Sequence, residues 1–180
     1  MRKHYTESEI KKILAQMTVI VDTREKENKH LTDYFEDKKI PYVTRKLSSG
    51  DYSVQFTIDN EQAKPQTFSL EDDVVIEKKN SLDEIAGNFT IERERFEREF
   101  LRAKAMGTKV YLLIENASYE AIEAHAYRSK FAPKAFLASL LSWQARFGIT
   151  VVFCKREESP KIVHGILYYA LKEKLEGGKI

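Results

Sequence analysis

Four short runs of apolar residues, rich in β-branched side chains, recur along this chain and limit the folds open to it. The runs are Thr18–Val21, Val74–Ile76, Val110–Ile114 and Ile149–Phe153. Runs of this length and composition are typical of strands buried on both faces of a sheet. Segments with apolar residues at helical spacing lie between them. Such an alternation predicts an α/β fold, a three-layer core in which helices flank a mixed central β-sheet.

Local patterns predict where this core begins and ends. The segment Thr6–Glu9 has the form of a capping box and predicts a short helix. We interpret residues 1–17 as an N-terminal helical extension, residues 18–176 as the main domain and residues 177–180 as a loose tail. No linker or internal repeat divides the chain further, so a single domain is expected.

Two further segments carry specific expectations. The polar segment Asp59–Gln66, which contains Pro65, is expected to be a hairpin loop or a flexible insertion. From Ser81 the apolar residues recur at helical spacing, which predicts one long helix that Gly107 ends. A bend in this helix is expected near residues 87–88.

The charge balance and the cysteine count exclude several classes of protein. The 180 residues include 30 lysines and arginines and 28 acidic residues, a net charge of +2, so any DNA-binding surface must be local. The one cysteine allows no internal disulfide, and the four histidines form no zinc-binding pattern. No apolar run has the length of a membrane span, and the N-terminus has no signal sequence. We expect a cytoplasmic protein without a membrane partner.

Acidic residues stand where the apolar strands are expected to begin or end. Asp22 and Glu25 follow the first run, Asp51 opens a strand after a turn, and Glu77 follows the second run directly. Strand residues alternate between the two faces of a sheet, so Glu77 and Lys79 point the same way. These acidic side chains and one lysine are therefore candidates for a common site at the strand ends.

Carboxylates and a lysine at strand ends suit metal-assisted hydrolysis of a phosphodiester. A divalent ion held by carboxylate oxygens lowers the pKa of a bound water and offsets the negative charge of the transition state. A nearby lysine can orient the water or stabilise the phosphoryl group. As a bare pattern, an acidic residue two positions before a lysine is weak, and a solvated charge run at a frayed strand end is the alternative.

Three ordered motifs make the hydrolytic interpretation more specific. They are Val21–Glu25, Ser49–Tyr52 and Val75–Asp83. In order and spacing they resemble the D-x-R-E, G-D and E-R-K-x-x-x-D motifs in the nuclease domain of the XPF/Mus family of structure-specific endonucleases. The resemblance continues to about residue 175, without the family's helix-hairpin-helix domain. It implies the restriction-endonuclease-like PD-(D/E)xK fold, Mg²⁺ or Mn²⁺ as cofactor, and cleavage of branched DNA.

The resemblance also implies roles for individual residues. The implied catalytic residues are Asp22, Arg24, Glu25, Asp51, Glu77 and Lys79. Asp51 and Glu77 would be the principal metal ligands, with Asp22 close by, and Lys79 would act at the nucleophile. Asp83 would begin the long helix and support the ligands from behind.

Two positions depart from the family pattern. Lys78 stands where arginine is usual, and Glu99 stands where many members carry glutamine. A lysine keeps the positive charge of arginine but loses its bidentate geometry. A glutamate at position 99 adds a negative charge to a helix face that is expected to approach DNA.

Basic residues on three segments are candidate contacts to DNA. They are Lys78, Arg93, Arg95, Arg102, Arg128, Lys130 and Lys134. The arginines of the long helix alternate with glutamates, so ion pairs within the helix are the alternative interpretation. The basic cluster at residues 128–134 lies where a loop enters a helix N-terminus, a position that favours phosphate.

The last two predicted helices imply a homodimer. In the XPF/Mus family these helices form the dimer interface, and we expect the same here. The candidate interface residues are Leu137, Leu141, Ile166 and Tyr169.

The sequence therefore predicts a metal-dependent DNA endonuclease that hydrolyses phosphodiester bonds at flaps, forks or junctions in recombination, repair or replication. Two alternatives remain open. One is a nuclease with little preference for DNA structure. The other is a catalytically silent DNA-binding subunit that pairs with an active partner.

Overall fold

One mixed β-sheet organises the computed structural model, which describes residues 4–60 and 63–178. Seven strands of this part of the chain lie in the order β2-β1-β3-β5-β6-β7, with β4 paired to β3. The strands are β1 Thr18–Val21, β2 Tyr42–Thr44, β3 Tyr52–Asn60, β4 Ala63–Ser69, β5 Val74–Lys79, β6 Lys109–Glu115 and β7 Thr150–Cys154. The helices are α1 Glu7–Ala15, α2 Lys29–Asp37, α3 Leu82–Thr90, α4 Arg93–Met106, α5 Tyr119–Glu123, α6 Pro133–Phe147 and α7 Ser159–Glu176.

The strands run in both directions, and helices cover both faces of the sheet. β3 is antiparallel to β1, β4 and β5, whereas β5, β6 and β7 are parallel to one another. Residues of α1, α2 and α7 bury one face, and residues of α3, α4 and α6 bury the other. The predicted three-layer α/β core with a mixed sheet is confirmed. Within the described ranges, no helix has the length and apolar character needed to cross a membrane.

The N-terminal helix α1 is part of the packed core. The capping box is present: Thr6 Oγ1 accepts from the main-chain N–H of Glu9, and the Glu9 carboxylate accepts from the N–H of Thr6. Ile10, Ile13 and Leu14 are buried against the same cluster as residues of α7 and β3. The predicted helix is present, and it packs on the sheet face that α7 covers.

The polar segment that was expected to be a loop is largely strand. β3 and β4 pair from Gln55 opposite Ser69 to Asn60 opposite Ala63, with an irregular register between Ile58 and Asn60. Among residues 4–60 and 63–178, β4 pairs with β3 alone, and such an edge position tolerates a proline because one side of the strand makes no ladder hydrogen bonds to the described strands. The expectation of a loop over 59–66 was therefore wrong, apart from residues 61–62, which lie outside the described ranges.

The helix that was expected to run unbroken from Ser81 to Gly107 is two helices. The Thr90 hydroxyl donates to the carbonyl oxygen of Ala86 at 2.8 Å, a contact that bends helices. The N–H of Glu92 bonds to the carbonyl oxygen of Gly87, one residue further back than in an α-helix. The interruption separates α3 from α4 and lies beyond the bend expected at residues 87–88. The next helix, α5, is short and ends at Glu123.

We predict that Ile13→Ala destabilises the whole protein. Truncating a buried isoleucine leaves a cavity and removes apolar contacts, at a cost of about 2–5 kcal/mol in the free energy of unfolding. Urea denaturation followed by circular dichroism measures the change. The exposed Lys11 of the same helix supplies the control, Lys11→Ala, which should leave the midpoint nearly unchanged. An unaltered midpoint for Ile13→Ala would show that α1 does not contribute to the folded core.

Candidate active site

The antiparallel pairing of β3 with β5 brings two carboxylates together. Tyr52 pairs with Ile76, and continuing this register by one residue sets Asp51 opposite Glu77. The main-chain N–H of Asp51 donates to the carbonyl oxygen of Ile76 at 2.8 Å, which fixes the approach of the two strands. Directly opposed like charges are unfavourable in a sheet, so this arrangement needs an explanation beyond folding.

Gly50 allows the turn before β3 to approach β5 this closely. Its φ is +70°, and a Cβ atom at this position would lie 2.8 Å from Cβ of Val75 and 3.2 Å from the carbonyl oxygen of Ile76. Real side chains do not tolerate either the contact or the backbone conformation without strain. The glycine of the G-D motif is therefore required to place Asp51 beside Glu77.

Asp51 is held in a position that disfavours its charge. Burial raises the pKa of its carboxyl group well above the usual value, and the negative charge of Glu77 raises the pKa further. The main-chain N–H of Lys78 donates to Asp51 Oδ2 at 2.8 Å and opposes these effects only in part. A cation placed between the two carboxylates would remove the repulsion.

Lys79 lies on the same face as Glu77, as the strand alternation predicts. Its Nζ is 2.8 Å from Glu77 Oε1 and 3.6 Å from Glu84 Oε1, and it lies 5.1 Å from the centre of the Phe96 ring. Burial alone would lower the pKa of this ammonium group, but the carboxylates of Glu77, Asp51 and Glu84 raise the pKa above the usual value. These carboxylates favour the ammonium form of Lys79, which can act as a hydrogen-bond donor.

Asp22 organises the chain around the site with hydrogen bonds that occupy both of its oxygens. Oδ1 accepts from the main-chain N–H and from Nε of Arg24, both at 2.7 Å. Oδ2 accepts from Nη2 of Arg24 at 3.1 Å and from the N–H of Leu47 at 2.5 Å. Burial raises the pKa of Asp22, but these hydrogen bonds outweigh it and leave the pKa below its usual value. The four donors occupy the acceptor positions of the carboxylate, so a metal ion bound directly to Asp22 would have to displace one of them, and the role of Asp22 as a metal ligand stays a prediction.

Lys78 does not face DNA, contrary to the expectation from the sequence. Its side chain is fully buried on the opposite face of β5 from Glu77 and Lys79. Nζ donates to Asn80 Oδ1 at 2.6 Å and to the carbonyl oxygen of Glu27 at 3.2 Å. A buried side chain cannot reach a phosphate, so the prediction that Lys78 contacts DNA was wrong.

Arg24 and Glu25 lie on different sides of the site. The Arg24 side chain is mostly exposed and lines a cavity of about 200 Å³ together with Asp51 and Glu77. The Glu25 side chain is mostly buried, and its Oε1 accepts from the N–H of Glu27 at 2.8 Å and lies 3.8 Å from Nζ of Lys78. Arg24 can meet a ligand in the cavity, whereas Glu25 supports the site from behind.

A third acidic residue, Glu99, lines the same cavity from α4. Arg95 and Arg102 of that helix also line it, beside Asp51 and Glu77. Burial raises the pKa of Glu99, and the charge of Glu77 raises it further. The departure from the family's glutamine was the only sequence feature that pointed to this position. Glu84 and Asn80, which position Lys79, had no distinguishing pattern in the sequence.

The remaining basic candidates differ in exposure. Arg93 donates to Glu97 Oε1 at 3.1 Å and packs over the Trp143 ring, so it serves the contact between α4 and α6. Lys130 and Lys134 are exposed. The Arg128 side chain is 92% exposed, yet its N–H and Nε both donate to Asp83, at 2.7 and 3.1 Å. Asp83 thus holds the loop that contains Arg128 against the first turn of α3. These hydrogen bonds connect Asp83 to that loop and not to Asp51 or Glu77.

The donor set fits a hard divalent cation. Mg²⁺ commonly takes only one or two protein carboxylates and fills its other positions with water and substrate phosphate oxygens. Asp51 and Glu77 supply two opposed carboxylates whose repulsion a cation would relieve. Among the described residues, no group of three or more His, Cys, Asp and Glu side chains is close enough to form a complete metal cage. The site therefore suits an ion that the substrate helps to bind.

The four residues expected at a dimer interface divide into two pairs. Leu141 of α6 and Tyr169 of α7 are 50% and 61% exposed. Leu137 and Ile166 pack in part against the two core clusters of their own chain. Leu141 and Tyr169 are therefore the members of the set that remain available to another molecule.

Comparisons with known proteins agree on the fold. Residues 21–164 match the model of the ERCC4 domain. XPF from Aeropyrum pernix superposes with a TM-score of 0.59 at 17% identity, covering 85% of this chain and 61% of that one. XPF from Aeropyrum pernix in complex with DNA gives 0.60 at 18% identity, covering 88% and 66%. The chain thus spans less than two thirds of either solved structure. No curated protein matches by sequence.

The contrasting environments of Asp22 and Asp51 predict opposite effects of removing their charges. The pKa of Asp22 is lowered from 3.8 by folding, so its charge stabilises the protein above that pH. Asp22→Asn should lower the free energy of unfolding at pH 7 by roughly 1.5–3 kcal/mol, the contribution of hydrogen bonds to a charged group. The deficit should shrink as the pH falls through the folded pKa, below 3.8. Urea denaturation over a pH series measures it.

Asp51→Asn is the matched counterpart. The folded pKa of Asp51 is raised, so its charge destabilises the folded state at neutral pH. Asparagine removes the repulsion and still accepts from the N–H of Lys78, so the free energy of unfolding at pH 7 in EDTA should rise. The gain should fade as the pH drops through the raised pKa. A loss of stability for Asp51→Asn would contradict the electrostatic account of this pair.

Proposed function

Because the chain belongs to the ERCC4 domain family, we propose that it is a DNA endonuclease that hydrolyses phosphodiester bonds with Mg²⁺ or Mn²⁺. The observation that carries the proposal is the opposed pair Asp51 and Glu77, with the ammonium group of Lys79 on the same face. Like charges placed together by backbone pairing are costly for folding alone, and perturbed carboxyl groups in a cavity are typical of functional sites.

Each group of the site would have a definite part in hydrolysis. Asp51 and Glu77 would hold the metal ion, which when bound supplies a water of lowered pKa and a counter-charge for the phosphate. The ammonium form of Lys79 is favoured, so it would donate a hydrogen bond to the attacking water or to a phosphate oxygen. Arg24 lines the same cavity and would offset the charge of a neighbouring phosphate.

The proposed substrate is branched DNA in recombination, repair or replication, and the proposed assembly is a homodimer. The likeness to XPF from Aeropyrum pernix, one structure of which contains DNA, supports DNA as the partner. The exposed basic residues Arg128, Lys130 and Lys134 offer contacts to the phosphate backbone. The preference for flaps, forks or junctions follows from the family resemblance of the three motifs.

Removing either metal-binding carboxylate should abolish cleavage without unfolding the protein. Asp51→Asn and Glu77→Gln should each lower the cleavage rate by about a thousandfold, since metal assistance is worth several kcal/mol in the transition state. Labelled flap, fork, four-way junction and linear duplex are incubated with Mn²⁺ or with EDTA, and products are resolved on denaturing gels. Asp33→Asn on the exposed face of α2 is the control and should cut as the parent does.

The alternatives give different results in the same assay. Equal cutting of duplex and branched DNA would support a nuclease without structure preference. Binding without cleavage in Mn²⁺ would support a silent subunit. If Asp51→Asn and Glu77→Gln cut as well as the parent, the assignment of the site is wrong.

Disrupting the exposed apolar residues of α6 and α7 should break the proposed homodimer. Leu141→Glu and Tyr169→Glu place a charge where association would have to bury it, so the molecular mass should shift from dimer to monomer. Light scattering after size exclusion measures the mass. Met106→Glu, at an exposed apolar position at the end of α4, is the matched control and should not change it. A monomeric parent protein would contradict the proposal directly.

A further inference from the structure

We infer that Lys78 and Asn80 are positioning residues, forming a polar bridge through which the Asp22–Glu27 segment sets the position of Lys79. The inference rests on the proposed function, because it assigns Lys79 to the reaction. It concerns the buried face of β5, behind the acidic pair, which none of the family motifs explains on its own. Lys78 points to this face of β5, and Asn80, which follows the last strand residue, contacts the Lys78 ammonium group there.

The first half of the bridge joins the Asp22–Glu27 segment to the end of β5. Nζ of Lys78 donates to the carbonyl oxygen of Glu27 at 3.2 Å and to Asn80 Oδ1 at 2.6 Å, and it lies 3.8 Å from Glu25 Oε1. A fully buried ammonium group is tolerated only where polar partners surround it. These partners belong to the Asp22–Glu27 segment and to the strand end, so Lys78 fastens one to the other.

The second half of the bridge reaches the catalytic lysine. The main-chain N–H and Nδ2 of Asn80 both donate to Glu84 Oε2, at 2.8 and 3.0 Å. The other oxygen of that carboxylate, Oε1, lies 3.6 Å from Nζ of Lys79. Each link is an ordinary hydrogen bond or ion pair, and together they run from Glu27 to Lys79 without a gap.

The bridge has a consequence for the metal ligand. Lys79 contacts Glu77 at 2.8 Å, and a lysine that pairs with Glu77 alone would hold one of the oxygens proposed for the metal. Glu84, fixed by Asn80, offers Lys79 a second carboxylate. With the bridge in place, Lys79 could keep an ion pair with Glu84 if Glu77 were to hold a metal ion.

Residue 78 also acts through its backbone. Its N–H donates to Asp51 Oδ2 at 2.8 Å, while its side chain extends to the opposite face. A shift of this residue would therefore move the second proposed metal ligand as well. Replacing the Lys78 side chain should disturb Asp51, Glu77 and Lys79 together, although it touches none of their side chains.

The test compares Lys78→Met, Asn80→Ala and the double variant in the cleavage assay with Mn²⁺. Breaking the bridge should lower kcat by roughly ten- to hundredfold, the usual cost of removing groups that orient metal ligands, with little change in KM. Because both residues belong to one bridge, the double variant should lose about as much as either single variant, which is far less than the product of the two losses.

Two variants and one physical measurement separate positioning from general damage. Lys78→Arg, which restores the family's usual residue, should recover most of the lost kcat. Thr108→Val breaks another buried hydrogen bond, from Thr108 Oγ1 to the carbonyl oxygen of Asp72, and should leave kcat unchanged. Amide hydrogen exchange at residues 22–28 should become faster in Lys78→Met and Asn80→Ala and stay as in the parent in Thr108→Val.

The outcomes distinguish the inference from the function beneath it. If the parent cuts DNA but Lys78→Met keeps the parental kcat, or if the two losses multiply in the double variant, the bridge does not position the site. If the parent does not cut, the proposed function fails, while the exchange measurement still decides whether Lys78 fastens the segment. Lys78→Met removes the ammonium group that faces the mostly buried carboxylate of Glu25, so its folding is checked by circular dichroism, and Asn80→Ala, which keeps that ammonium group, tests the bridge independently.

Discussion

The repulsion between Asp51 and Glu77 is the constraint on which the rest of the site depends. Backbone pairing between β3 and β5 opposes the two carboxylates, and burial makes their charges costlier. Neighbouring groups reduce the repulsion or allow the strands to approach. Lys79 offsets the charge on one face, the N–H of Lys78 holds one oxygen, and Gly50 lets the strands meet. Keeping these two carboxylates together lowers the stability of the folded protein, and it leaves a site at which a bound cation would offset their charge.

The fold followed from the sequence wherever burial decided the structure. The fully apolar runs became the central strands, and the alternation of Glu77, Lys78 and Lys79 gave the right faces. The failures occurred where local polarity misled. The segment 59–66 looks like a loop because its residues are polar, yet residues 64–66 lie in an edge strand that pairs with β3, where exposed polar side chains are tolerated. The break between α3 and α4 depends on the hydroxyl of Thr90 turning back on Ala86, which periodicity does not reveal.

The residues of the site could be predicted from the sequence, but the different environments of their side chains could not. Motif spacing placed Asp22, Asp51 and Glu77 at one site, and the family resemblance gave Asp51 and Glu77 the principal role as metal ligands. Their distinct environments arise from hydrogen bonds between distant segments, such as the N–H of Leu47 to Asp22 and the N–H of Lys78 to Asp51. Lys78 was assigned to DNA from its charge, whereas its face on the strand determines its partners. Long-range contacts of this kind leave no periodic pattern in a single sequence.

The packing of α1 and α7 shows that the folded core extends beyond the part of the chain that matches the family model. The family match covers residues 21–164, yet Ile13 of α1 and Leu167, Leu171 and Leu175 of α7 are buried in one shared cluster beneath the sheet. A fragment limited to residues 21–164 would keep the three motifs but would expose the apolar residues that α1 and α7 cover. It would aggregate rather than fold, and its inactivity would say nothing about the chemistry of the acidic pair.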